Sequence, residues 1–378
     1  MTLLPPLRGE LLPDVRALAR DVLAPIAATS TPGRVSRELV AALAEHDLLP
    51  RIFPAELGGS AEGRPTATEL CILREAIAAE SPQAETTFAV QGLGSYPILE
   101  DGSRELAARW IPAVARGEAV AAFALSEPDA GSDAAALALA AERDGDGWRL
   151  TGEKTWISHA PDADVYTVFA RTTADAGARG VTAFAVPGDA AGLDGEPIPL
   201  IAPHALGALR FDGVRVGPDQ VLGEVDAGFR VAMRTLDLFR PSVGAAAVGM
   251  ATRALEEATA HADRREAFGG RLRDLQAVAH RLADAATTLE AARLLVYEAA
   301  AAHDAGGRDT KLAAMAKLHA TEVAQRVIDD AVQLHGAAGL VADGVVGELY
   351  REVRALRIYE GASEVQRTII ARELYRDG

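Results

Sequence analysis

The stretch SVGAAAVGMATRALEEATAHA, Ser242 to Ala262, opens a run that reaches residue 378 without a proline. All 19 prolines lie at or before Pro241, and the proline-free part is rich in alanine. Such sequence sustains long helices. Apolar residues recur there at helical spacing, and glycine pairs at 306–307 and 336–339 predict breaks. We therefore expect a C-terminal domain over 227–378 with four or five long helices in a four-helix-type bundle.

Upstream of this run, residues 1–117 predict shorter helices. Val15–Leu23 is amphipathic, and we expect it to end before Pro25, because proline cannot continue a helix. Arg37–Leu48 and Thr66–Ala79 predict two more helices, separated by prolines and glycines. These residues are interpreted as an N-terminal helical domain.

The middle of the chain, residues 118–226, has a different pattern. Val165–Phe169 and Val181–Val186 are rich in β-branched and aromatic residues, and Leu209–Val216 alternates. Trp148–Thr151 follows a turn signal. We predict a central antiparallel β domain, and hence a multi-domain α+β fold that is mainly α.

Composition excludes several classes of function. Lys plus Arg total 38 and Asp plus Glu total 54, so the net charge of −16 argues against a nucleic-acid partner. The one cysteine, Cys71, cannot form an intramolecular disulfide or a thiolate zinc cluster. We expect no metal. The absence of a long apolar run or a secretory signal predicts a cytoplasmic protein that does not bind a membrane.

Four segments stand out. Phe123–Asp133 combines small, acidic and hydroxyl residues that suit a polar heterocycle or a phosphate, although an ordinary turn would also explain it. Gly152–Ser158 places Trp156 and Ser158 on one face of a strand, because side chains alternate with period two. An indole and a hydroxyl so placed can hold a flat ring, whereas the alternative is a tryptophan buried in the core.

The other two segments lie in the C-terminal run. Arg265–Gln276 offers an arginine before a glycine break and a glutamine beyond it, which suits a pyrophosphate; the alternative is a solvated helix end. Glu360 follows Ile358 and precedes Gly361 at a predicted break between helices. Burial would raise the pKa of Glu360 and make it a general base, whereas the alternative is a helix-capping acid.

Together, in this order and spacing, the four segments resemble the acyl-CoA dehydrogenase family of flavoproteins over nearly the whole chain. The resemblance implies FAD and removal of hydrogen from the α and β carbons of an acyl-CoA thioester. It also implies an electron-transferring flavoprotein as acceptor, and a homotetramer or homodimer. Glu360 matches the family's catalytic base, because Leu238 and Phe239, at the position that some members use instead, cannot accept a proton.

Further roles follow from the resemblance, position by position. The cofactor-binding set is Leu125, Ser126, Trp156, Ser158, Arg265, Phe268, Gln276, Gln333, Gly336, Ala362 and Glu364. The substrate-binding set is Ser132, Asp237, Arg240 and Gly361. The sequence departs from the family pattern at His159, Leu275, Ala337 and Ala362.

Four alternatives stay open at this point. The same fold could act on an acyl-carrier-protein thioester, or it could be an oxygen-using acyl-CoA oxidase or a flavin monooxygenase, although a monooxygenase would not need Glu360. A catalytically silent helical scaffold is the alternative outside enzymes. The sequence does not fix the length or branching of the acyl chain.

Overall fold

The computed structural model describes residues 4–63, 65–307 and 309–376. By contact density the chain forms two compact units. Unit 1 comprises Met1–Ala24, Thr66–Glu85 and Asp237–Gly378, and unit 2 comprises Pro25–Pro65 and Thr86–Leu236. No helix in the described part of the chain combines the length and apolar character that a bilayer crossing requires.

The elements alternate between helical and sheet regions along the chain. In order they are α1 (Pro6–Leu18), a π-helical turn (Ala19–Leu23), α2 (Ala24–Thr29), α3 (Arg37–Glu45), α4 (Ala67–Glu80), α5 (Pro82–Asp101), α6 (Arg104–Ala115), β1 (Ala121–Ala124), β2 (Ala140–Asp144), β3 (Gly147–Ser158), β4 (Val165–Arg171), β5 (Val181–Pro187), β6 (Leu193–Pro197), β7 (Leu206–Val216), β8 (Val221–Leu222), α7 (Gly228–Arg264), β9 (Glu266–Ala267), β10 (Gly270–Arg271), α8 (Gln276–Asp304), α9 (Thr310–His335), α10 (Val345–Leu356) and α11 (Ser363–Leu374).

Unit 1 is a helical bundle in which α9 packs against α8, α10 and α11, and α4 packs against α1 and α8. Small residues let α7 approach its neighbours closely. A Cβ added to Gly249 would lie 2.1 Å from the Glu75 carbonyl oxygen on α4, so only glycine fits there. Helices α7, α8 and α9 are long, whereas α10 and α11 have 12 residues each, so the expectation of four or five long helices was too high.

The sheet of unit 2 has the order β6-β7-β3-β2-β4-β5-β8, with β1 paired to β4. Strands β4 and β5 are buried on both faces, which explains their continuous apolar sequence. The prediction of an antiparallel sheet was wrong in one respect: β1 runs parallel to β4, and β2 meets β4 in parallel at Ala140 and Arg171. The chain forms the β2–β3 hairpin between β1 and β4, so these two strands are not joined by the tight turn that would make them antiparallel.

Helix α5 fixes the position of β1. A Cβ on Gly94 would lie 2.5 Å from the backbone nitrogen of Ala122, and the Thr167 hydroxyl of β4 donates to the Gly94 carbonyl at 2.7 Å. The side-chain amide of Gln91 donates to the Ala119 carbonyl at 2.9 Å. Because β1 is held on both sides, the segment that follows it, Leu125–Ser126, has a defined position.

Candidate active site

Glu360 lies in unit 1, in the short turn between α10 and α11. Two consecutive residues of this turn have positive φ, Glu360 at 51° and Gly361 at 98°. The φ of Gly361 is one that L side chains rarely adopt, so the turn favours glycine at 361, and a Cβ there would also displace the side-chain nitrogen of Gln366, which would lie 2.3 Å away. A positive φ at a non-glycine residue such as Glu360 stores strain that neighbouring contacts must hold.

Those contacts converge on the carbonyl groups of the turn. Lys317 Nζ donates to the Gly361 carbonyl oxygen at 2.8 Å, and Gln366 Nε2 donates to the same oxygen at 3.0 Å. The Glu360 carbonyl accepts from Arg240 Nε at 3.4 Å and from Gln366 Nε2 at 3.3 Å. Helices α7, α9 and α11 thus hold the turn through side chains, and they fix the direction in which Glu360 points.

The carboxyl group of Glu360 is enclosed, although other atoms of the residue are partly exposed. Its Oε2 atom is inaccessible and has no hydrogen-bond partner in the described residues. Burial raises the pKa of Glu360, and the cations Arg74 and Lys317 offset only part of this effect. A buried carboxylate with a raised pKa and a vacant oxygen is suited to accept a proton.

The cations around Glu360 are buried too. Burial lowers the pKa of Lys317 to about 8, although the nearby Glu360 carboxylate counteracts it. Burial also lowers the pKa of Arg240, which forms a salt bridge to Asp237 at 2.8 Å. Two predicted substrate residues, Asp237 and Arg240, therefore pair with each other beside the turn.

The second group of predicted residues lies in unit 2, where β1 ends beside β3. The buried Lys154 of β3 donates to the Leu125 carbonyl at 2.9 Å and to Glu127 Oε1 at 2.8 Å. The Thr155 N–H donates to the Ser126 carbonyl at 3.0 Å. These bonds bring Leu125 and Ser126 together with the strand that carries Trp156 and Ser158.

Trp156 sits in an irregular part of β3. The register with β7 shifts between Lys154 and Ile157, and Trp156 has a φ of 58°. As a result its side chain is 57% exposed, so the alternative of a tryptophan buried in the core was wrong. In the described residues, the hydroxyls of Ser126 and Ser158 bond to no other group.

His159, which follows Ser158, is buried. Its Nδ1 lies 2.9 Å from the Ala121 carbonyl oxygen, and burial lowers its pKa to about 4.

A third group lies on the surface of unit 1. The β9–β10 hairpin turns at Phe268 and Gly269, which have positive φ, and the Phe268 side chain is 92% exposed. The rings of His261 on α7 and His335 on α9 are in contact, with centroids 4.3 Å apart and planes tilted by 31°, which joins the ends of these helices. The predicted cofactor residues on this surface are all exposed: Arg265, Phe268, Gln276, Gln333 and Gly336.

Of the remaining predicted residues, Ala362 and Glu364 adjoin the Glu360–Gly361 turn, whereas Ser132 follows the Leu125–Ser126 segment. Ser132 is exposed in the loop after β1, while Ala362 and Glu364 flank the start of α11. Sequence reasoning missed the side chains that hold the sites in place, namely Arg74, Lys154 and Lys317. Arg74 and Lys317 are buried charges within mostly apolar stretches, and that pattern was the available signal, whereas Lys154 lies in a polar stretch that gives no such signal.

FAD fits the residues that are present. An isoalloxazine ring needs a flat apolar wall and edge hydrogen bonds, and Trp156, Ser126 and Ser158 offer an exposed indole and two uncommitted hydroxyls. A pyrophosphate needs cationic donors, and Arg265 is an exposed one. These features are those of a flavin-binding oxidoreductase.

Comparison with known proteins specifies the family. Three domain descriptions match the chain: "Acyl-CoA dehydrogenase, N-terminal domain" over residues 9–118, "middle domain" over 122–214 and "C-terminal domain" over 226–375. A cyclohexane-1-carbonyl-CoA dehydrogenase of Geobacter metallireducens is 37% identical over 367 residues, which cover 96% of each chain.

Solved structures agree with this result. Butyryl-CoA dehydrogenase from Megasphaera elsdenii is 31% identical, with a TM-score of 0.93 over 99% of each chain. An FAD complex of PigA is 28% identical, with a TM-score of 0.92 over 99% of each chain. The chain belongs to the acyl-CoA dehydrogenase family. It is an oxidoreductase with the fold of that family, and its cofactor is FAD.

Proposed function

We propose that this chain catalyses the α,β-dehydrogenation of an acyl-CoA thioester to the trans-2-enoyl-CoA, with Glu360 as the base that removes the α-proton. One observation carries the proposal: the Glu360 carboxyl group is enclosed, its pKa is raised by burial, and its Oε2 atom has no partner in the described residues. A carboxylate in this state gains from accepting a proton.

The α-proton of a thioester is weakly acidic, and its removal requires stabilisation of the charge that develops on the carbonyl oxygen. The backbone N–H of Glu360 is suited to this task, because it donates to no group in the part of the chain that the structure describes. The turn is held by Lys317, Arg240 and Gln366, so this N–H and the carboxyl keep a fixed relation to each other.

Bound FAD supplies the acceptor for the hydride that leaves the β-carbon. The residues that we assign to FAD are Leu125, Ser126, Trp156, Ser158, Arg265, Phe268, Gln276, Gln333, Gly336, Ala362 and Glu364. For the CoA ester we assign Ser132, Asp237, Arg240 and Gly361. Support comes from the exposed indole of Trp156 and from the exposed polar surface around Arg265.

The proposal extends to the setting of the reaction. An electron-transferring flavoprotein would accept the electrons, the enzyme would be a homotetramer or homodimer, and it would act in fatty acid metabolism in the cytoplasm. The family resemblance supports the electron acceptor, the assembly and the role in fatty acid metabolism. The relatives act, by their names, on cyclohexane-1-carbonyl-CoA and butyryl-CoA, which supports a CoA ester as the substrate.

The test is an anaerobic titration of the purified flavoprotein with a panel of acyl-CoA esters, followed at the oxidised flavin absorbance band. We expect at least one ester to bleach the flavin. Glu360→Gln should bind FAD and the ester but lose most of the bleaching rate, on the order of 1,000-fold or more, because it lacks the base. Glu298→Gln, at an exposed position of α8, is the control and should behave as wild type.

Near-normal bleaching by Glu360→Gln would reject Glu360 as the base. A flavin that no CoA ester bleaches would instead favour an acyl-carrier-protein thioester. Rapid peroxide formation in air would favour an oxidase.

A further inference from the structure

An ion pair between Arg74 of α4 and Glu85 of α5 is enclosed within unit 1. The two side chains are 1% and 0% exposed, and Arg74 Nε lies 2.5 Å from Glu85 Oε1. Arg74 also donates through Nη1 to the Ser242 hydroxyl at 2.7 Å. The other carboxylate oxygen, Glu85 Oε2, is inaccessible and has no hydrogen-bond partner in the described residues. A buried acceptor left in this state destabilises the protein.

This unpartnered oxygen belongs to the surroundings of the turn that carries Glu360. Arg74 and Glu85 are both among the charges that act on the Glu360 carboxyl, and both also act on the neighbouring Tyr359. Ser242, which Arg74 contacts, lies on α7 two residues after Arg240, and Arg240 contacts the Glu360 carbonyl. The proposed proton transfer accounts for the vacant oxygen of Glu360. It does not account for the vacant oxygen of Glu85.

We propose that Glu85 Oε2 accepts a hydrogen bond from a hydroxyl group on the acyl chain of the substrate. This inference rests on the proposed function, because it places an acyl chain beside Glu360. The hydroxyl is on a carbon beyond Cβ, since Cα and Cβ are the carbons that lose hydrogen. Glu85 is thus a specificity-determining residue for hydroxylated acyl thioesters.

The charge around Glu85 favours a neutral donor over an ammonium group. Arg74 already neutralises Glu85, and Lys317 and Arg240 add two further cations near Glu360. A second cation at Glu85 would be buried without a counter-charge of its own, which is costly. A hydroxyl satisfies the vacant acceptor and adds no charge. A plain alkyl chain would leave Glu85 Oε2 unpaired.

The experiment compares two matched esters, 6-hydroxyhexanoyl-CoA and hexanoyl-CoA, with shorter and longer pairs of the same kind. For the wild-type holoenzyme we expect kcat/KM to be about tenfold or more higher for the hydroxylated ester, because the alkyl ester leaves a buried acceptor unpaired. Calorimetric binding to the Glu360→Gln holoenzyme should show the same preference as a difference in Kd, without any turnover. An ω-amino ester should bind less well than the hydroxylated one.

The variant Arg74→Met/Glu85→Met removes the acceptor without leaving an unpaired buried arginine. We expect its hydroxyl-to-alkyl preference to fall to about one, since the specific bond is gone. Arg293→Met is the matched control. It removes one of the cations bonded to the buried Glu75, which keeps Arg8 and Tyr297 as partners, and Arg293 is not among the charges assigned to Glu360. This control should keep the wild-type preference.

The outcomes separate this inference from the proposed function. If wild type uses hexanoyl-CoA as well as the hydroxylated ester at every chain length, the inference is wrong and the dehydrogenase proposal stands. A preference for the amino ester would reject the neutral donor. If no CoA ester bleaches the flavin and none binds to Glu360→Gln, both proposals fail together.

Discussion

At the scale of single residues, the turn at Glu360 and Gly361 is held in a strained conformation by side chains from three helices. Gly361→Ala should disturb it, because a Cβ would meet Gln366 Nε2 at 2.3 Å and φ is 98°. We expect the free energy of unfolding to fall by about 1–3 kcal/mol. The catalytic kcat/KM should fall by about 100-fold, because the carboxyl of Glu360 would move.

Urea unfolding and the anaerobic flavin assay measure the two effects. Gly9→Ala is the matched control, since Gly9 lies in α1 and no described residue comes within 4 Å of an added Cβ. It should leave activity unchanged and raise stability slightly, because alanine favours a helix more than glycine does. Equal behaviour of the two variants would contradict our account of the turn.

Lys317 gives the stability of the protein a specific pH dependence. Its pKa is about 8 in the folded chain against an ordinary value of 10.5. Between these values the unfolded chain holds a proton that the folded chain lacks, so the Lys317 contribution to the free energy of unfolding rises with pH there, by at most about 1.4 kcal/mol per pH unit. Below pH 8 this slope vanishes.

Lys317→Met should lack this rise. The unfolding midpoint of wild type should therefore increase relative to that of the variant between pH 8 and pH 10.5. The difference isolates Lys317, because Lys154, whose pKa burial also lowers to about 8, is present in both proteins. Denaturant unfolding at several pH values measures it. A constant difference across this range would contradict the lowered pKa of Lys317.

The position of Glu360 at a break between helices was predictable, because an acid before a glycine is a local pattern, and the structure places it between α10 and α11; its role as the base stays a prediction. Sequence reasoning could not find Arg74, Glu85 or Lys317 as neighbours of Glu360, since they lie on other helices and their roles depend on packing. Burial of Lys317 becomes clear only when α9 is placed against α11, where Lys317 reaches the Gly361 carbonyl.

At the scale of elements, two local irregularities escaped prediction. The helix expected to end before Pro25 continues to Thr29, because the π-helical turn lets the Ala24 N–H bond to the Ala19 carbonyl and widens the helix just before the proline. In β3 the shift beside Trp156 depends on pairing with β7. Hydrophobic periodicity describes a helix or strand as a whole, and it does not predict a π-helical turn or a register shift within it.

The buried Lys154 connects two elements of the proposed flavin site. It bonds to the Leu125 carbonyl and to Glu127, which in turn accepts from the backbone N–H of Leu139 at 2.9 Å. Lys154→Met should loosen the Leu125–Ser126 segment against β3. We expect FAD to bind at least about tenfold more weakly, because the segment loses its fixed position.

Flavin content after gel filtration and FAD titration of the apoprotein measure this loss. Arg149→Met is the control on the same strand, where the side chain is exposed and pairs with Asp144. It should retain FAD as wild type does. Full retention of FAD by Lys154→Met would show that Lys154 serves only the fold of the sheet.

At the scale of the whole molecule, unit 1 exposes several large apolar side chains. Phe268, Leu340 and Tyr375 are 92%, 77% and 87% exposed. Apolar side chains of this kind mark an interaction site where they form one contiguous patch. The proposed homotetramer or homodimer would cover them. Arg265 is close to Phe268 in the chain and is exposed as well.

Arg265 therefore links cofactor and assembly in our proposal, because it would hold the FAD of a neighbouring subunit. At protein concentrations at which wild type is assembled, Arg265→Ala should lose flavin and form smaller species. Light scattering and flavin absorbance, measured across a dilution series, record both effects. Added FAD should restore assembly in part, since a ligand that binds only the assembled form stabilises it by mass action.

Arg264→Ala is the control, with an equal loss of charge one residue away. A fully flavinated Arg265→Ala oligomer of wild-type size would contradict the cross-subunit contact, whereas flavin loss without dissociation would confine Arg265 to cofactor binding.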